Sequence, residues 1–341
     1  MTPETAQYMA LAQELMRRCY AEEDGEMLRS WLGDQLARMG AADESALLTW
    51  PASFDYYDEL LAQRERDAMI PADQRKVLDW GWDSWNRLID PLDPGMLAVV
   101  SAGDGMGKTI YAECLAEHWA NKKNRVVFIH YELNRALMLD RRTARHTGIP
   151  RRNLKSGQLT QDEKRRIAFV RPKLLAWEGC INYLHTPGWT MEKTVTEMRR
   201  LKAEGLCDVV VLDYLEKTGT SRRQLQMFGS NPNSREADNV EQLKNFAEST
   251  ETPVLMLAQM SKAGKSQSFD NLDRTDMRGA GEKSEKANIV VLLHREKDKD
   301  RAGEYSPIVN VRVDKNTVGA TGNFTQYMHP ECFSVHDLEA E

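Results

Sequence analysis

The chemically most versatile stretch of the chain is rich in glycine and ends in a lysine and a threonine. It reads Gly103, Asp104, Gly105, Met106, Gly107, Lys108 and Thr109. Glycines let the backbone curl so that its N–H groups point at phosphate oxygens, and the start of a following helix adds positive potential. In the Walker A pattern, G-x-x-x-x-G-K-[ST], the lysine reaches the β- and γ-phosphates and the threonine ligates Mg²⁺. Ala102 stands at the first glycine position, and Gly103 beside it supplies the same flexibility. The stretch therefore predicts a site for ATP and Mg²⁺.

A carboxylate that could support the metal ion ends an apolar run farther along the chain. Asp208 is followed by the four apolar residues of 209–212, and Asp213 closes the run. Such a run is typical of a buried strand, which would deliver Asp213 to the carboxyl edge of a sheet, beside the phosphates. We interpret the run as a Walker B motif, in which Asp213 holds the water shell of Mg²⁺. The alternative is an aspartate that caps the end of a strand.

Two glutamates are candidates for the general base that activates the attacking water. Glu132 lies just past the apolar run 125–130, and Glu216 follows Asp213 by three residues. In RecA-type motors the base comes from the strand after the P-loop helix, and this placement favours Glu132. Glu216 stays open as the alternative, and either carboxylate could instead be a solvated surface group.

Gln259 ends another apolar run, 253–258. An amide at the carboxyl end of a strand could sense the γ-phosphate and pass its state to the adjoining loop. The alternative is an amide that caps the next turn.

The elements that must position these residues are short strands alternating with helices from about residue 74 to residue 295. This alternation predicts an α/β fold with a largely parallel sheet. The expected strands are Met96–Ala102, Arg125–His130, Cys180–His185, Asp208–Leu212, Pro253–Ala258 and Ile289–His294. Alternating apolar residues over Ile308–Val335 predict antiparallel strands at the sheet edge. The polar stretches Lys217–Ser234 and Ser261–Gly281 are predicted to be irregular loops on the ligand side.

Residues 1–73 form a separate region by their pattern. Helical spacing of apolar residues predicts two helices before a break at 40–43, and a third helix over Tyr56–Met69 that ends at Pro71. We expect a small helical region here and the P-loop core over residues 74–341.

Composition limits the class of protein. The chain has 341 residues and a formal net charge of −6, which argues against coating DNA by bulk charge. No apolar run approaches the roughly 18 residues of a membrane span, so we expect a cytoplasmic protein without membrane contact. The five cysteines lack C-x-x-C spacing and are expected to be reduced thiols rather than metal ligands or disulfides.

Several segments in series resemble the motor domain of DnaB-type replicative helicases, from about Asp79 to Val335. The segments are Pro94-Gly95-Met96-Leu97, His130-Tyr131-Glu132-Leu133, Ser156–Thr160, Thr186–Thr190, Val211–Leu215, Ala258-Gln259-Met260 and Asp276–Gly281. The last segment, with its Arg278-Gly279-Ala280-Gly281, is closer still to the Arg-Gly-Ser-Gly of phage primase-helicases. Apart from Walker A, no single segment is very specific. The resemblance depends on the order and spacing of all the segments together.

The resemblance implies a RecA-like core that hydrolyses ATP and assembles as a ring, expected to be a hexamer, around single-stranded DNA. Glu132 would be the base, Asp213 would support the metal, and Gln259 would link the nucleotide state to DNA. Arg278, Gly279 and Gly281 would lie in the loop that touches the DNA backbone, where arginine pairs with phosphate and glycine permits close approach. A primase or a loader would be a possible partner.

Two departures from the family pattern matter. About 73 residues are too few for both the family's N-terminal collar and its linker helix, so we expect the collar to be reduced or missing and Tyr56–Met69 to be the linker. The family's trans-acting arginine belongs to a late Lys-x-Arg-x-Gly segment, and here Thr317 takes its place while Lys315 is retained. Lys315 is therefore the expected trans-acting cation, and Arg312 could compensate if it reaches.

Other interpretations stay open. The missing arginine also fits a nucleotide-switched DNA-binding scaffold or loader with weak ATPase activity, and a small-molecule kinase is a weaker third hypothesis. A run of basic residues from Arg141 to Lys173 fits either a solvated helical face or a surface that binds DNA or a partner.

Overall fold

A computed structural model of the chain describes residues 3–21, 25–40, 50–71, 75–131, 135–177, 179–213, 215–229, 231–261, 264–298 and 303–338. Glu132, a candidate base, lies outside the described residues. So do residues 41–43 of the expected break and residues 73 and 74, between which the two expected regions meet.

The described residues form one sheet of nine strands in the spatial order β3-β2-β4-β5-β1-β6-β7-β8-β9. The strands are β1 Leu97–Ala102, β2 Val126–His130, β3 Ile181–His185, β4 Val209–Asp213, β5 Val254–Gln259, β6 Ile289–His294, β7 Ile308–Asn316, β8 Gly322–His329 and β9 Ser334–Asp337. The first six pair in parallel, and the last three extend the sheet in antiparallel fashion from β6. Both expectations, the parallel core and the antiparallel edge, are confirmed.

Twelve helices accompany the sheet in the described part of the chain. They are α1 Pro3–Tyr20, α2 Gly25–Gly40, α3 Trp50–Met69, α4 Asp83–Asn86, α5 Lys108–Asn121, α6 Arg135–Thr147, α7 Arg151–Ser156, α8 Gln161–Leu175, α9 Met191–Ala203, α10 Arg222–Phe228, α11 Pro232–Thr250 and α12 Ala280–Lys286. Among these described helices, none is long and apolar enough to span a membrane.

The sheet is buried on both faces, as its continuous apolar strands require. One face packs against α5 and the tryptophans Trp80 and Trp85, and the other packs against α9 and α11. Each parallel strand therefore ends at the same edge of a buried sheet, and this brings the carboxyl ends of β1, β2, β4 and β5 next to one another.

One loop expectation is wrong in part. The sequence predicts an irregular loop over residues 217–234, yet they contain α10 and the first turn of α11. The Ser221 hydroxyl caps α10 by accepting from the backbone N–H of Gln224. The Gln224 side-chain oxygen in turn accepts from the backbone N–H of Ser221. This reciprocal cap stabilises a short helix that apolar periodicity alone does not reveal.

The N-terminal helices make unequal contacts with the core. α1 and α2 pack together, and α2 packs on α9 and α11, with Asp34 pairing with Arg199 at 3.5 Å. By contrast, α3 exposes the aromatic side chains of Tyr56 and Tyr57. The third helix thus presents apolar surface that the described part of its own chain leaves open.

Candidate functional site

The glycine-rich loop joins the buried strand β1 to α5, as Walker A geometry requires. Lys108 opens α5, is buried, and donates from Nζ to the carbonyls of Ala102 at 2.8 Å and Gly103 at 3.1 Å. Gly107 has φ of +103°, a conformation that favours glycine, and a Cβ there would also displace the end of the Met328 side chain. Burial lowers the pKa of Lys108, although the nearby carboxylates of Asp104, Asp213 and Glu216 act to raise it. A phosphate would stabilise this charged, partly desolvated amine.

Thr109 and Asp213 meet directly across the site. The Thr109 hydroxyl donates to Asp213 Oδ2 at 2.8 Å, although the residues are far apart in the chain. Asp213 is buried, and among the described residues its Oδ1 has no hydrogen-bond partner. Burial raises the pKa of Asp213 to about 6, although the hydrogen bond from Thr109 acts to lower it. A hydroxyl and a carboxylate with an unused oxygen are suitable donors for Mg²⁺, so these residues fit that ion.

Gln259 contacts the glycine-rich loop from the neighbouring strand. Its Nε2 donates to Asp104 Oδ1 at 3.1 Å, and Lys265 donates to Asp104 Oδ2 at 2.6 Å. The hydrogen bond from Lys265 holds the pKa of Asp104 below its usual value. The structure therefore places Gln259 where an amide could respond to a change in the phosphate loop.

Glu216 is engaged in a buried cluster. Its Oε1 accepts from Lys283 Nζ at 2.5 Å and from the backbone N–H of Gln259 at 3.1 Å. Lys283 also contacts Glu236 Oε2 at 3.3 Å and the carbonyl of Arg278 at 2.7 Å. Both bonds are to Oε1, and Oε2 has no hydrogen-bond partner among the described residues, so Glu216 stays open as the alternative base. The structure does not describe Glu132, and its role remains a prediction.

Arg278 lies on a ribbon that pairs with the end of β5. Its backbone N–H donates to the carbonyl of Gln259 at 2.8 Å. Its guanidinium pairs with Glu236 at 3.2 Å while 46% of the side chain stays exposed. Gly279 follows in the left-handed conformation and starts α12, and Gly281 is exposed within that helix. The three predicted DNA-contact residues thus lie together at one end of α12.

Lys315 and Arg312 bind groups within the chain. Lys315 Nζ donates to the carbonyls of Ser284 at 2.8 Å and Glu285 at 3.0 Å, in the last turn of α12. The Arg312 guanidinium donates to the carbonyls of Leu272 and Asp270, and to Asn323 at 3.1 Å. Thr317 is exposed. A trans-acting role for Lys315 would require it to leave these carbonyls.

The sequence reasoning missed several residues near the loop. Arg295 directly follows β6; its guanidinium lies over the Tyr305 ring and donates weakly to the Gly105 carbonyl at 3.4 Å. A polar residue at the carboxyl end of a parallel strand is a signal that could have identified it. Lys283 and Lys265 had no such signal, because their partners lie on other elements.

The basic run at Arg141–Lys173 divides into two parts. Arg141 and Arg145 pair with Glu113, and Arg142 and Arg145 pair with Glu117, so these arginines tie α6 to α5. On α8, by contrast, the exposed residues include Lys164, Arg165, Phe169, Arg171 and Lys173. These three arginines form a structural network, whereas the α8 residues, with Arg152 and Lys155 of α7, present basic side chains at the surface.

Comparisons with known proteins agree with this geometry. A family model described as the DnaB-like helicase C terminal domain matches residues 78–336. The "Replicative DNA helicase DnaB" of Leifsonia xyli subsp. xyli is 28% identical over 74% of this chain and 54% of its own length. That of Geobacillus stearothermophilus is 24% identical over 78% of this chain and 56% of its own length. The chain thus spans about half the length of the curated relatives it matches.

Solved structures share the fold. A DnaB-like replicative helicase, solved in a study of its interactions with primase, superposes with a TM-score of 0.74 at 16% identity. The match covers 98% of this chain and 76% of that one. The ATPase domain of the protein named G40P superposes with a TM-score of 0.70 at 19% identity, covering 83% of this chain and 98% of that one. The predicted RecA-like α/β fold is confirmed.

Proposed function

This chain belongs to the family of DnaB-like helicase C-terminal domains, and from that premise we propose that it is an ATP-driven motor on single-stranded DNA. It forms a ring, which we take to be a hexamer, translocates along the strand, and unwinds duplex by excluding the other strand. A primase or a loader is the kind of partner that we propose for it.

One observation carries the proposal: hydrogen bonds connect the phosphate loop to the predicted DNA-contact arginine. Asp104 accepts from the Gln259 side chain at 3.1 Å, and the Gln259 carbonyl accepts from the Arg278 N–H at 2.8 Å. A shift of Asp104 on nucleotide binding would therefore be felt at Arg278 through one residue. A motor driven by nucleotide needs a link of this kind between its nucleotide site and its DNA site.

In the proposed mechanism, this chain's residues bind and orient the nucleotide. Lys108 exchanges its carbonyl partners for phosphate oxygens, and the N–H groups of the loop bind the remaining oxygens. Thr109 and Asp213 would hold Mg²⁺, which when bound neutralises charge on the phosphates. Glu132 would take the proton of the attacking water. Gln259 would then pass a movement of Asp104 to the Arg278 ribbon.

Ring assembly is supported by a pair of complementary surfaces. α3 exposes Tyr56 and Tyr57 and carries acidic residues such as Asp58, whereas α8 exposes Phe169 between lysines and arginines. A cavity of about 550 Å³ opens between α6, α8 and β3, with apolar leucines in its lining. We propose that α3 is the linker helix of a domain division near residue 73 and docks on α8 of the next subunit.

Turnover measurements test the proposal. ATPase activity is measured with and without single-stranded DNA for the unsubstituted chain, Lys108→Ala and Arg278→Ala. We expect DNA to stimulate turnover, Lys108→Ala to abolish it, and Arg278→Ala to weaken DNA binding with a shallower salt dependence, as loss of one phosphate contact should. Turnover that DNA leaves unchanged would contradict the motor.

A second function has one specific observation in its favour. The position of the family's trans-acting arginine is Thr317, and Lys315 is occupied by carbonyls of α12. This would suit a nucleotide-switched DNA-binding scaffold or loader that hydrolyses ATP poorly. Tight, ATP-dependent DNA binding together with very slow turnover would favour that alternative.

A further inference from the structure

We propose that Glu216 and Lys283 are positioning residues: the buried pair holds the phosphate-loop sensor Gln259 and the Arg278 ribbon as one unit, so that bound nucleotide sets the position of the ribbon. The inference rests on the proposed function for its nucleotide and DNA ligands. It deepens that function because it assigns a positioning role to two residues outside the glycine-rich loop.

The Lys283 ammonium group is buried and held in one position by its hydrogen bonds. The side chain is 1% exposed, although a lysine normally keeps its amine in water. Its three N–H donors have three acceptors: Glu216 at 2.5 Å, Glu236 at 3.3 Å and the Arg278 carbonyl at 2.7 Å. With every donor used, the ammonium group has no freedom to turn without losing a buried hydrogen bond.

The acceptors belong to the elements that a motor must coordinate. Glu216 follows β4, which carries Asp213, and it also accepts from the backbone N–H of Gln259 at 3.1 Å. Glu236 lies on α11 and pairs with the guanidinium of Arg278 at 3.2 Å. Lys283 therefore completes a closed set of contacts. Gln259 and Arg278 bond to each other, and both also bond to the buried group of charges that Lys283 joins.

The charge of Lys283 also determines how Glu236 is compensated when Arg278 moves. Two carboxylates and two cations share this cluster, and only Arg278 is substantially exposed. When Arg278 turns toward a DNA phosphate, Glu236 loses one partner and Lys283 becomes its remaining cation. The cluster can then release the guanidinium while its backbone carbonyl stays held, so the arginine moves without the ribbon collapsing.

The test uses the double variant Lys283→Met with Glu216→Gln, because removing one buried charge alone would leave the other uncompensated. The amide oxygen introduced by Glu216→Gln can still accept from the Gln259 N–H, and Arg278 remains with Glu236, so these contacts are kept while those of the Lys283 ammonium group are lost. The matched control is Lys286→Met, on the same helix, which removes an exposed pair with Glu241. Glu216→Gln alone serves as a second variant that keeps the Lys283–Glu236 contact.

Hydrogen exchange over residues 276–279 is measured with and without Mg²⁺ and a non-hydrolysable ATP analogue, at concentrations that saturate each protein. The affinity for single-stranded DNA is measured under the same two conditions. We expect nucleotide to change the exchange of this segment and to change DNA affinity about tenfold in the unsubstituted chain and in Lys286→Met. Both responses should vanish in the double variant and fall by at least about half in Glu216→Gln.

The outcomes separate the inference from the proposed function. Full nucleotide responses in the double variant, or in Glu216→Gln if the double variant does not fold, would overturn the positioning role. So would an unsubstituted chain that binds nucleotide without any response at 276–279. Failure of the unsubstituted chain to bind the analogue at all would instead overturn the proposed function.

Discussion

At the scale of the residue, the charge state of Asp213 decides how the metal site behaves. Burial raises its pKa to about 6, and its free Oδ1 finds no partner in the described part of the chain. A proton and Mg²⁺ compete for the same carboxylate, so acidification should weaken metal-dependent nucleotide binding. The same burial means that the ionised carboxylate is a cost to the folded state until a metal ion compensates for it.

Asp213→Asn should therefore stabilise the nucleotide-free chain at neutral pH. The folded-state pKa lies above the ordinary value of 3.8, so the folded chain holds the proton more tightly and loses stability as pH rises from about 4 through 6. We expect the variant to gain up to about 3 kcal/mol at pH 7.5 and nothing near pH 4. Urea denaturation at the two pH values measures this difference.

Asp208→Asn is the control of opposite sign. Burial opposes the shift, but hydrogen bonds from Arg125 lower the pKa of Asp208 to about 2. Its ionised form stabilises the fold above about pH 4, and this stability is lost as pH falls toward 2. The control variant should therefore be less stable than the unsubstituted chain at pH 7.5. A gain for both variants would mean that general charge removal, and not burial, is the cause.

Substitution of single glutamates can identify the general base. Glu132→Gln should bind ATP and hydrolyse it at least about a hundredfold more slowly, within the usual range for loss of a general base. Glu216 accepts from Lys283 and from the Gln259 N–H through Oε1, and its buried Oε2 has no hydrogen-bond partner among the described residues. Single-turnover kinetics measures the step. If Glu216→Gln shows this loss and Glu132→Gln does not, the assignment is reversed.

At the scale of the element, the start of α12 depends on one glycine. Gly279 has φ of +60°, and a Cβ there would lie 2.9 Å from Glu236 Oε2. Any other residue would meet both backbone strain and the carboxylate that pairs with Arg278. The glycine of the Arg-Gly-Ala-Gly segment thus has a structural reason in addition to its predicted closeness to DNA.

Gly279→Ala should lower the free energy of unfolding by about 1–2 kcal/mol, from the left-handed conformation alone. Gly281→Ala is the matched control, because a Cβ there meets nothing within 4 Å and alanine favours a helix by up to about 1 kcal/mol. Chemical denaturation without DNA compares the two. Equal effects of both substitutions would show that the strain is not localised at the helix start.

At the scale of the whole molecule, the proposed ring places each ATP site next to a neighbouring subunit. A neighbour's cation then stabilises charge on the phosphates, and arginines in this role are worth about 10³–10⁵ in rate in well-studied GTPases. Lys315 carries a point charge without arginine's planar fork, and in the single chain it is hydrogen-bonded to α12. Slow basal turnover is expected, with Lys315 released only when the ring forms.

A mixing experiment tests whether Lys315 acts across the interface. Subunits with Lys315→Ala are titrated into subunits with Glu132→Gln, each expected to be nearly inactive alone. Mixed rings contain some sites with an intact base and an intact neighbouring lysine, so activity should partly return. No recovery in rings shown to mix would place Lys315 within its own subunit and would strengthen the scaffold alternative. Thr317→Arg should leave turnover unchanged or raise it.

The strands of the core, the phosphate loop and the carboxylate opposite it could be predicted from local sequence patterns. These features depend on local rules: apolar runs form buried strands, and the glycines of the 103–109 loop permit its turn. Parallel strands then bring their carboxyl ends to one edge, and there the Thr109 hydroxyl donates to Asp213 at 2.8 Å.

Which charges meet, by contrast, depends on the packing of distant elements. Lys283 and Glu216 are 67 residues apart, and their contact depends on how α12 packs beside the end of β4. Likewise, Arg141 and Arg145 turned inward because buried Glu113 lies on the facing side of α5. A basic run looks the same in sequence whether its partners are solvent, DNA or glutamates on another helix. Long-range packing chooses among them, because a charge is stable in the interior only where another element supplies its counterion.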